Sequence, residues 1–569
     1  MIILGFCAYV FDSAACLIID GELIAASQEE RFTREKNTGD FPKESIDFCL
    51  KKVGITIEDV DHVAFYWEPF LGLKERVLQI FKGLPHTLNF WNSHSSKWLS
   101  MVLAENELKK NFKGKHRFTF HNINHHISHA ASTFLVSPYE KANIIVMDGS
   151  GEIVSTSFGY ASDRDIDLPH QIKFPESMGY VYVSLTQYLG FKPDSDEYKV
   201  MALASMGQES KYYDLFKDVI NLEEDGHYSI NLKYFNYQLG IREPWVSKKF
   251  IKEFGPIRMA NSSEDLTQRH FDIAWALQKR LEDVAIHMAN ILYEKNPCDN
   301  LVISGGCALN CVMNEKLLQK TPYKNVWTNS APHDAGTCIG AAMYVHNNIL
   351  DRPRTFQYNS ALWGAEYTEI EIEKVIKANN YAYQTFTEEE LYKKAAQVIS
   401  DGAIIGWFQG RTEFGPRALG NRSILADPRT IEMKEKINAR IKHREEFRPF
   451  APAILEEHSH DFFKISRKIP FMTSVVEANT EKLDKMQAVI HFNNTSRVQT
   501  VEEEVNPKFY KLIKAFYNIT NTPLLLNTSF NDNGEPIVNS PEDALKSFRK
   551  TNLDYLFIGN FLIEKKQRV

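Results

Sequence analysis

Paired cysteines are the first thing this chain lacks. Seven occur in 569 residues, at Cys7, Cys16, Cys49, Cys298, Cys307, Cys311 and Cys338, with no Cys-x-x-Cys spacing. An odd, scattered set gives neither a disulfide framework nor a zinc ribbon, and points to buried thiols in a reducing compartment. Long apolar runs are also missing, so nothing reads as a bilayer span. The N-terminus "MIILGFCAYVFDSAACLIIDGELIAA" is apolar but has no basic flank, and Asp12 interrupts it. Its Asp20-Gly21 reads as a hairpin turn, which favours a buried opening hairpin over a signal peptide. Positive charge is not in excess either: the formal charge is −7 and the pI about 6.2. That excludes a chain built to coat nucleic acid, while leaving room for a local basic groove. Together these absences lead us to expect a cytoplasmic protein with no membrane or nucleic-acid partner, and they leave a homo-oligomer open.

What is present is material for large cores. Hydrophobic residues make up 43% and charged residues 24%, over a length that calls for two or three domains. Strand and helix patterns alternate through residues 1–350. "HVAFYW" (62–67), "ANIIVMDGSGE" (142–152) and "STSFGYA" (155–161) read as strands. Residues 271–295 carry an apolar stripe at helical spacing: Ala274, Leu277, Leu281, Val284, Met288 and Leu292. "DAGTCIGAAMYVH" reads as a helix with a small-residue face. The strand-turn blocks near 1–30 and 142–160 suggest a duplication at the level of structure. The polar, proline-bearing stretch 347–364 is the linker candidate, with 351–364 as its core. Residues 365–569 form a second α/β domain. Low-complexity tracts are absent.

Histidine is scarce, yet "INHHISHAAS" (123–132) places three in five positions. On a helix, His125 and His129 share a face and His126 points elsewhere. Two imidazoles at i and i+4 can bind one metal ion, but the missing glutamate rules out the HExxH arrangement of zinc proteases. A lone pair of this kind is more often two packed histidines. Asp148, ending a buried strand, and Asp334, opening a helix, could complete a His₂Asp₂ set suited to iron, manganese or zinc. As single residues they read equally as a turn residue and a helix cap.

"SGGCALNCVMN" (304–314) puts Gly305 and Gly306 at a strand end before a helix, with Asn310 and Asn314 one turn apart. Such a turn suits a nucleotide, and is a plain tight connection about as often. Lys199 in "DEYKVMALASMG" could meet phosphate, although solvated lysines are commoner. Residues 411–448 hold seven arginines. Roughly half should pair with Glu413, Asp427, Glu445 or Glu446 on a solvated face. Those beside prolines and aromatics fit that reading poorly, and Arg417, Arg448 and Arg497 are assigned to an anion site. Lys442, His443 and Arg444 lie close by in sequence. A buried strand ends at Asn527, Thr528 and Ser529.

Taken in order, "HHISHAAS", "MDGSGE", "SMGYVYVSLTQYLGF", "DEYKVMALASMG", "SGGCALNCVMN", "PHDAGTCIGAA", "WFQGRTEFGPRALGNRSILADPR", "HREEFRPFAPAIL" and "LLLNTSFNDNGEPIV" resemble the O-carbamoyltransferase family along almost the whole chain. The resemblance implies an N-terminal domain of actin-like ATPase (ASKHA) fold over 1–350 and a C-terminal YrdC-like domain over 365–569. It implies an enzyme that converts carbamoyl phosphate and ATP to carbamoyl adenylate. The carbamoyl group would then pass to a hydroxyl of a small-molecule acceptor, a natural product or a sugar. The implied metal ligands are His125, His129, Asp148 and Asp334, usually for iron. The implied nucleotide contacts are Gly305, Gly306, Asn310, Asn314 and Lys199. The implied carbamoyl phosphate and adenylate contacts are Arg417, Lys442, Arg448, Arg497, Asn527 and Ser529.

The chain departs from the family pattern in the segment expected to face the acceptor, which holds Phe11, Asp12, Arg31 and Lys36. Phe11 stands where a histidine is usual, and Lys36-Asn37 replaces a lysine-histidine pair. An apolar Phe11 hints at a less polar acceptor. Rival readings are a threonylcarbamoyl transferase acting on tRNA, which the negative charge does not favour, and a heat-shock-like ATPase, which would need a peptide-binding domain. A non-enzymatic metal-binding protein would leave the arginine cluster unexplained.

Overall fold

The computed structural model describes residues 1–82, 96–241, 243–260, 264–442, 445 and 447–565. His443, Arg444 and Glu446 lie outside the described residues. The chain divides into two units, Met1–Glu29 with Asn37–Tyr358, and Glu30–Lys36 with Asn359–Val569. Both are mixed α/β.

The first unit holds two five-stranded sheets. In the first sheet, β1 (Ile2–Cys7), β2 (Ala14–Ile19) and β3 (Glu22–Gln28) run antiparallel in sequence, and β4 (His62–Phe65) and β5 (Thr119–Asn122) add parallel to β1. The order is β3-β2-β1-β4-β5. The expected hairpin turn is there: Asp20 and Gly21 both have positive φ, 51° and 90°. A two-residue turn of that kind matches the twist of the strands it joins. In the second sheet, β6 (Lys141–Met147), β7 (Val154–Ser162) and β8 (Asp165–Lys173) are again antiparallel, and β9 (Asn300–Ser304) and β10 (Asn325–Trp327) again add parallel. The order β8-β7-β6-β9-β10 repeats that of the first sheet, strand for strand and direction for direction.

Three helices of this unit carry the histidine, asparagine and aspartate positions singled out by sequence: α1 (His125–Phe134), α2 (Cys311–Lys320) and α3 (Asp334–Tyr344). The small residues of α3 serve close approach. A Cβ added to Gly340 would lie 1.8 Å from the Ser128 carbonyl of α1. The two helices therefore touch backbone to backbone, which fixes Asp334 relative to the histidines.

The stretch expected as a linker has no helix or strand from 351 to 363, but it is not a loose spacer. Arg354 donates to the carbonyls of Phe134, Leu135, Ser137, Tyr139 and Asp163, and Tyr358 N–H to that of Val136. The chain thus stays fastened to the first unit as far as Tyr358. A second difference lies at Glu30–Lys36. Placed by sequence in the N-terminal domain, it clusters with the second unit, where Arg34 donates to the Pro536 and Ile537 carbonyls.

The second unit is built on one eight-stranded sheet. Its order is Gln384–Thr385, Phe561–Glu564, Tyr555–Ile558, Ile405–Phe408, Arg422–Ala426, Leu524–Ser529, Ala451–Leu455, Gln499–Val501. Alternation along the strands feeds two cores. Ile424, Leu524 and Leu526 face one, and Leu425, Leu525 and Trp407 the other. Both faces are covered, which is why these strands read as continuous apolar runs.

Candidate functional site

Residues 125–134 form a helix because Asn124 caps it, accepting from Ile127 N–H at 3.0 Å. The cap points the first turn at the β6–β7 connection. His125 Nε2 lies 3.3 Å from Asp148 Oδ2 and 3.9 Å from Asp334 Oδ1, and His129 Nε2 lies 3.5 Å from Asp334 Oδ1. All four side chains are buried, and one ligand atom from each falls within 4.8 Å of the rest. His126 turns away as its helical position requires, pairing with Ser157 Oγ and the Val154 carbonyl.

The electrostatics suit a cation. Burial would raise the Asp148 pKa, but the hydrogen bond from His125, the adjoining His129 and His125 rings and the Gly306 N–H reverse this and hold it well below the usual carboxylate range. Burial and the Asp148 charge push Asp334 up to about 7. Burial lowers the His129 pKa and favours the neutral imidazole, the form that ligates metal. His129 Nε2 is buried without a hydrogen-bond partner, while its Nδ1 sits 3.4 Å from Ser304 Oγ. An orphaned imidazole nitrogen beside two buried carboxylates is a donor set that a divalent ion completes, so the residues fit a metal.

The support around this cluster was not legible in sequence. Glu152 accepts from the N–H groups of His125 and Glu68 and from Asn124 Nδ2. The Trp67 and Tyr66 rings lie 5.1 and 5.3 Å from the His125 ring.

The glycine turn meets the same cluster. Gly305 has φ +87°, and a Cβ there would lie 2.3 Å from the Met147 carbonyl, so only glycine fits. Gly306 N–H donates to Asp148 Oδ1 at 2.8 Å. Asn310 caps α2 through Met313 N–H and exchanges two hydrogen bonds with Gln278. Asn314 Nδ2 donates to the Ala308 carbonyl. Both asparagines hold the turn itself. Lys199 sits 3.1 Å from Asp196 and over the Phe191 ring. Asp12 Oδ2 lies 3.8 Å from His333 Nε2, and Lys97 sits over the Phe11 ring. Phe11 and Asp12 belong to the first unit, whereas Arg31 and Lys36 belong to the second. Arg31 is buried and donates to the Gly415 carbonyl at 2.6 Å.

In the second unit, the predicted cationic residues gather at one end of the sheet. Asn527 is in register with Leu425 and Ala451, and donates to the Ala418 carbonyl next to Arg417. Arg448 lies three residues before Ala451. Arg497 lies two before Gln499, which bonds Asn527 and the Leu419 carbonyl. Buried Lys442 donates to Ser529 O, Asn531 O and Asn531 Oδ1. Arg448 NH1 is 3.6 Å from Glu445. Other arginines of the cluster are structural. Arg422, fully buried, donates to the carbonyls of Gln409, Gly410, Asn421 and Ala365, and Arg429 pairs with Asp427. Glu413, whose Oε1 accepts from Leu419, Asn421 and Arg422 N–H, shapes the loop that carries Arg417.

Two stretches of the chain match family models of known proteins. Residues 2–343 match the carbamoyltransferase N-terminus and residues 396–565 the carbamoyltransferase C-terminus. An uncharacterized protein of Synechocystis is 40% identical, over 99% of this chain and 96% of its own. The nodulation protein NolNO of Sinorhizobium fredii is 36% identical over 98% of this chain and 79% of its own length. The nodulation protein NolO of Bradyrhizobium diazoefficiens is 38% identical over 78% and 79%. With both halves matched in order and relatives of this identity along nearly all its length, the chain belongs to the carbamoyltransferase family.

Proposed function

We propose that this transferase forms carbamoyl adenylate in its second unit and delivers the carbamoyl group to a small-molecule hydroxyl in its first. Carbamoyl phosphate, ATP and one water would give the adenylate, phosphate and pyrophosphate. The observation that carries the reading is the sheet end of the second unit. There Lys442 donates to Ser529 O and Asn527 to the carbonyl next to Arg417, and Arg448 and Arg497 precede the neighbouring strands by a few residues, in a chain whose net charge is −7. Lys442, held by the Ser529 and Asn531 carbonyls, is preorganised, so it would balance phosphoryl charge without rearranging during the reaction. Lys442 would hold its ammonium beside Ser529, and Arg448 and Arg497 would offer planar donors to the departing phosphates.

In the first unit, His125, His129, Asp148 and Asp334 would hold the metal, with iron the reading the family resemblance favours. Bound there, the ion would supply Lewis acidity toward the carbamoyl carbonyl. Ser304 would keep the His129 imidazole oriented, Glu152 would hold the backbone at the start of α1 that carries His125, and Gly306 N–H would fix the Asp148 carboxylate. An actin-like fold for the first unit and a YrdC-like fold for the second belong to the same proposal, as does the small-molecule acceptor.

The test is pyrophosphate release from ATP without acceptor. Release should require carbamoyl phosphate and vanish in Arg448→Ala. Release that ignores carbamoyl phosphate, or persists in Arg448→Ala, sinks the reading.

A further inference from the structure

Two described arms of the excursion between β4 and β5, residues 70–78 and 96–103, expose several large apolar side chains. Seven of the sixteen large hydrophobic side chains exposed among the described residues fall in 70–103: Phe70, Leu71, Leu73, Val77, Leu78, Leu99 and Leu103. Phe70 is 64% exposed, Leu78 56% and Leu99 51%. On the helix Leu73–Lys82, Leu73, Val77 and Leu78 are exposed together with Lys74 and Glu75, whereas Arg76 turns inward and donates to the Glu152 carbonyl. The two described arms form one surface, since Trp98 Nε1 donates to the Pro69 carbonyl at 2.7 Å and its ring meets Phe70 edge to face. An exposed apolar patch of this kind marks something that covers it.

The charge of the segment says what. On the surface formed by 70–78 and 96–103, the exposed charged side chains are Lys74 and Lys97 against one acid, Glu75, within a chain of net charge −7. Lys74 and Lys97 are exposed beside the apolar side chains. Phe70 and Trp98 bring two aromatic rings to the same surface. Exposed Leu and Val with aromatics and a basic rim is the composition that lies in a bilayer interface, apolar side in and lysines at the headgroups. We propose that the surface formed by residues 70–78 and 96–103 docks this protein on an anionic membrane. The absence of a spanning helix among the described residues does not conflict with this, because lying on a bilayer needs no span. The surface begins three residues beyond Trp67, whose ring packs on His125, so docking would set the metal cluster close to the lipid interface.

The test is flotation of the full-length protein with phosphatidylcholine vesicles, with and without about a third phosphatidylglycerol. Binding should require the anionic lipid and fall at least about tenfold in roughly 0.5 M salt, since surface charges are screened there. Leu78→Glu with Leu99→Glu should abolish it. Lys74→Glu with Lys97→Glu, checked for a native melting temperature, should weaken it about tenfold or more. No flotation with the anionic vesicles overturns the proposal, as does flotation that both double variants retain. A concentration-dependent dimer that Leu78→Glu with Leu99→Glu dissolves, without vesicle binding, would overturn it in favour of a second copy as the occupant.

Discussion

Glu197 sits in the first helical turn of "DEYKVM", beneath an apolar run, and accepts a hydrogen bond from Asp194 N–H at 2.8 Å. Burial, reinforced by the charges of Asp194 and Asp196, pushes its pKa from 4.5 up to about 7. The nearby ammonium does not answer it: Lys199 is engaged by Asp196. In the unfolded chain Glu197 titrates near 4.5, so the native state binds the extra proton between pH 4.5 and about 7. The contribution of this group to stability is therefore full below 4.5 and is lost as pH rises to about 7. A shift of this size corresponds to about 3 kcal/mol. Glu197→Gln keeps the acceptor oxygen and the volume and removes the ionisation. At about pH 8.5 the variant should be more stable by up to about 3 kcal/mol, or roughly 4 °C in the melting of a unit this large. At about pH 4 the two proteins should melt together. Calorimetry at both pH values reads this directly. A variant less stable than the parent at the alkaline pH would refute the reasoning, because it would mean the ionised carboxylate is compensated in solution.

His129→Ala should lower metal content at least about tenfold by elemental analysis, since three ligands rarely retain an ion that four hold; unchanged content would remove His129 from the site. Gly340→Ala should cost about 3 kcal/mol or more, because the added methyl meets the Ser128 carbonyl on a neighbouring helix. Its melting temperature checks this, and wild-type behaviour would show that α1 and α3 can separate. Arg422→Lys should destabilise the second unit by about 2–4 kcal/mol, since an ammonium cannot serve four carbonyls and stack on Phe408 as the guanidinium does. Denaturant unfolding followed in that unit would expose an error here.

Much of the fold could be read from local pattern. Asp20-Gly21 announced its hairpin, and the stripe from Ala274 to Leu292 announced the helix Gln268–Lys295. The cluster was legible because its parts sit at places chemistry marks: two histidines one turn apart, an aspartate after a buried strand, and an aspartate opening a small-residue helix. Burial within a run of like residues was harder. Nothing near Arg422 in sequence says that it lies under four carbonyls while Arg417, five residues earlier, stays partly exposed; the partners Ala365 and Gln409 come from other segments. Asn310 sits where sequence marks an N-cap, between a turn and a helix, and it does cap α2. Glu30–Lys36 could not have been assigned to the second unit from sequence, because the carbonyls that Arg34 meets belong to Pro536 and Ile537, near the other end of the chain.

The fastening of Arg354 bears on where the first unit ends as a piece of heritable or engineered material. Four of the five carbonyls it satisfies, those of Phe134, Leu135, Ser137 and Tyr139, lie at and just beyond the C-terminal end of α1, where a cation is also favoured by the helix dipole. The same helix carries His125 and His129 at its other end. A chain shortened to residue 350, the limit the composition suggests, would strip that end of its cap and loosen the histidine face along with it. Grafts, fusions and truncations of this unit should therefore run through Tyr358, so that the cap travels with the helix it serves.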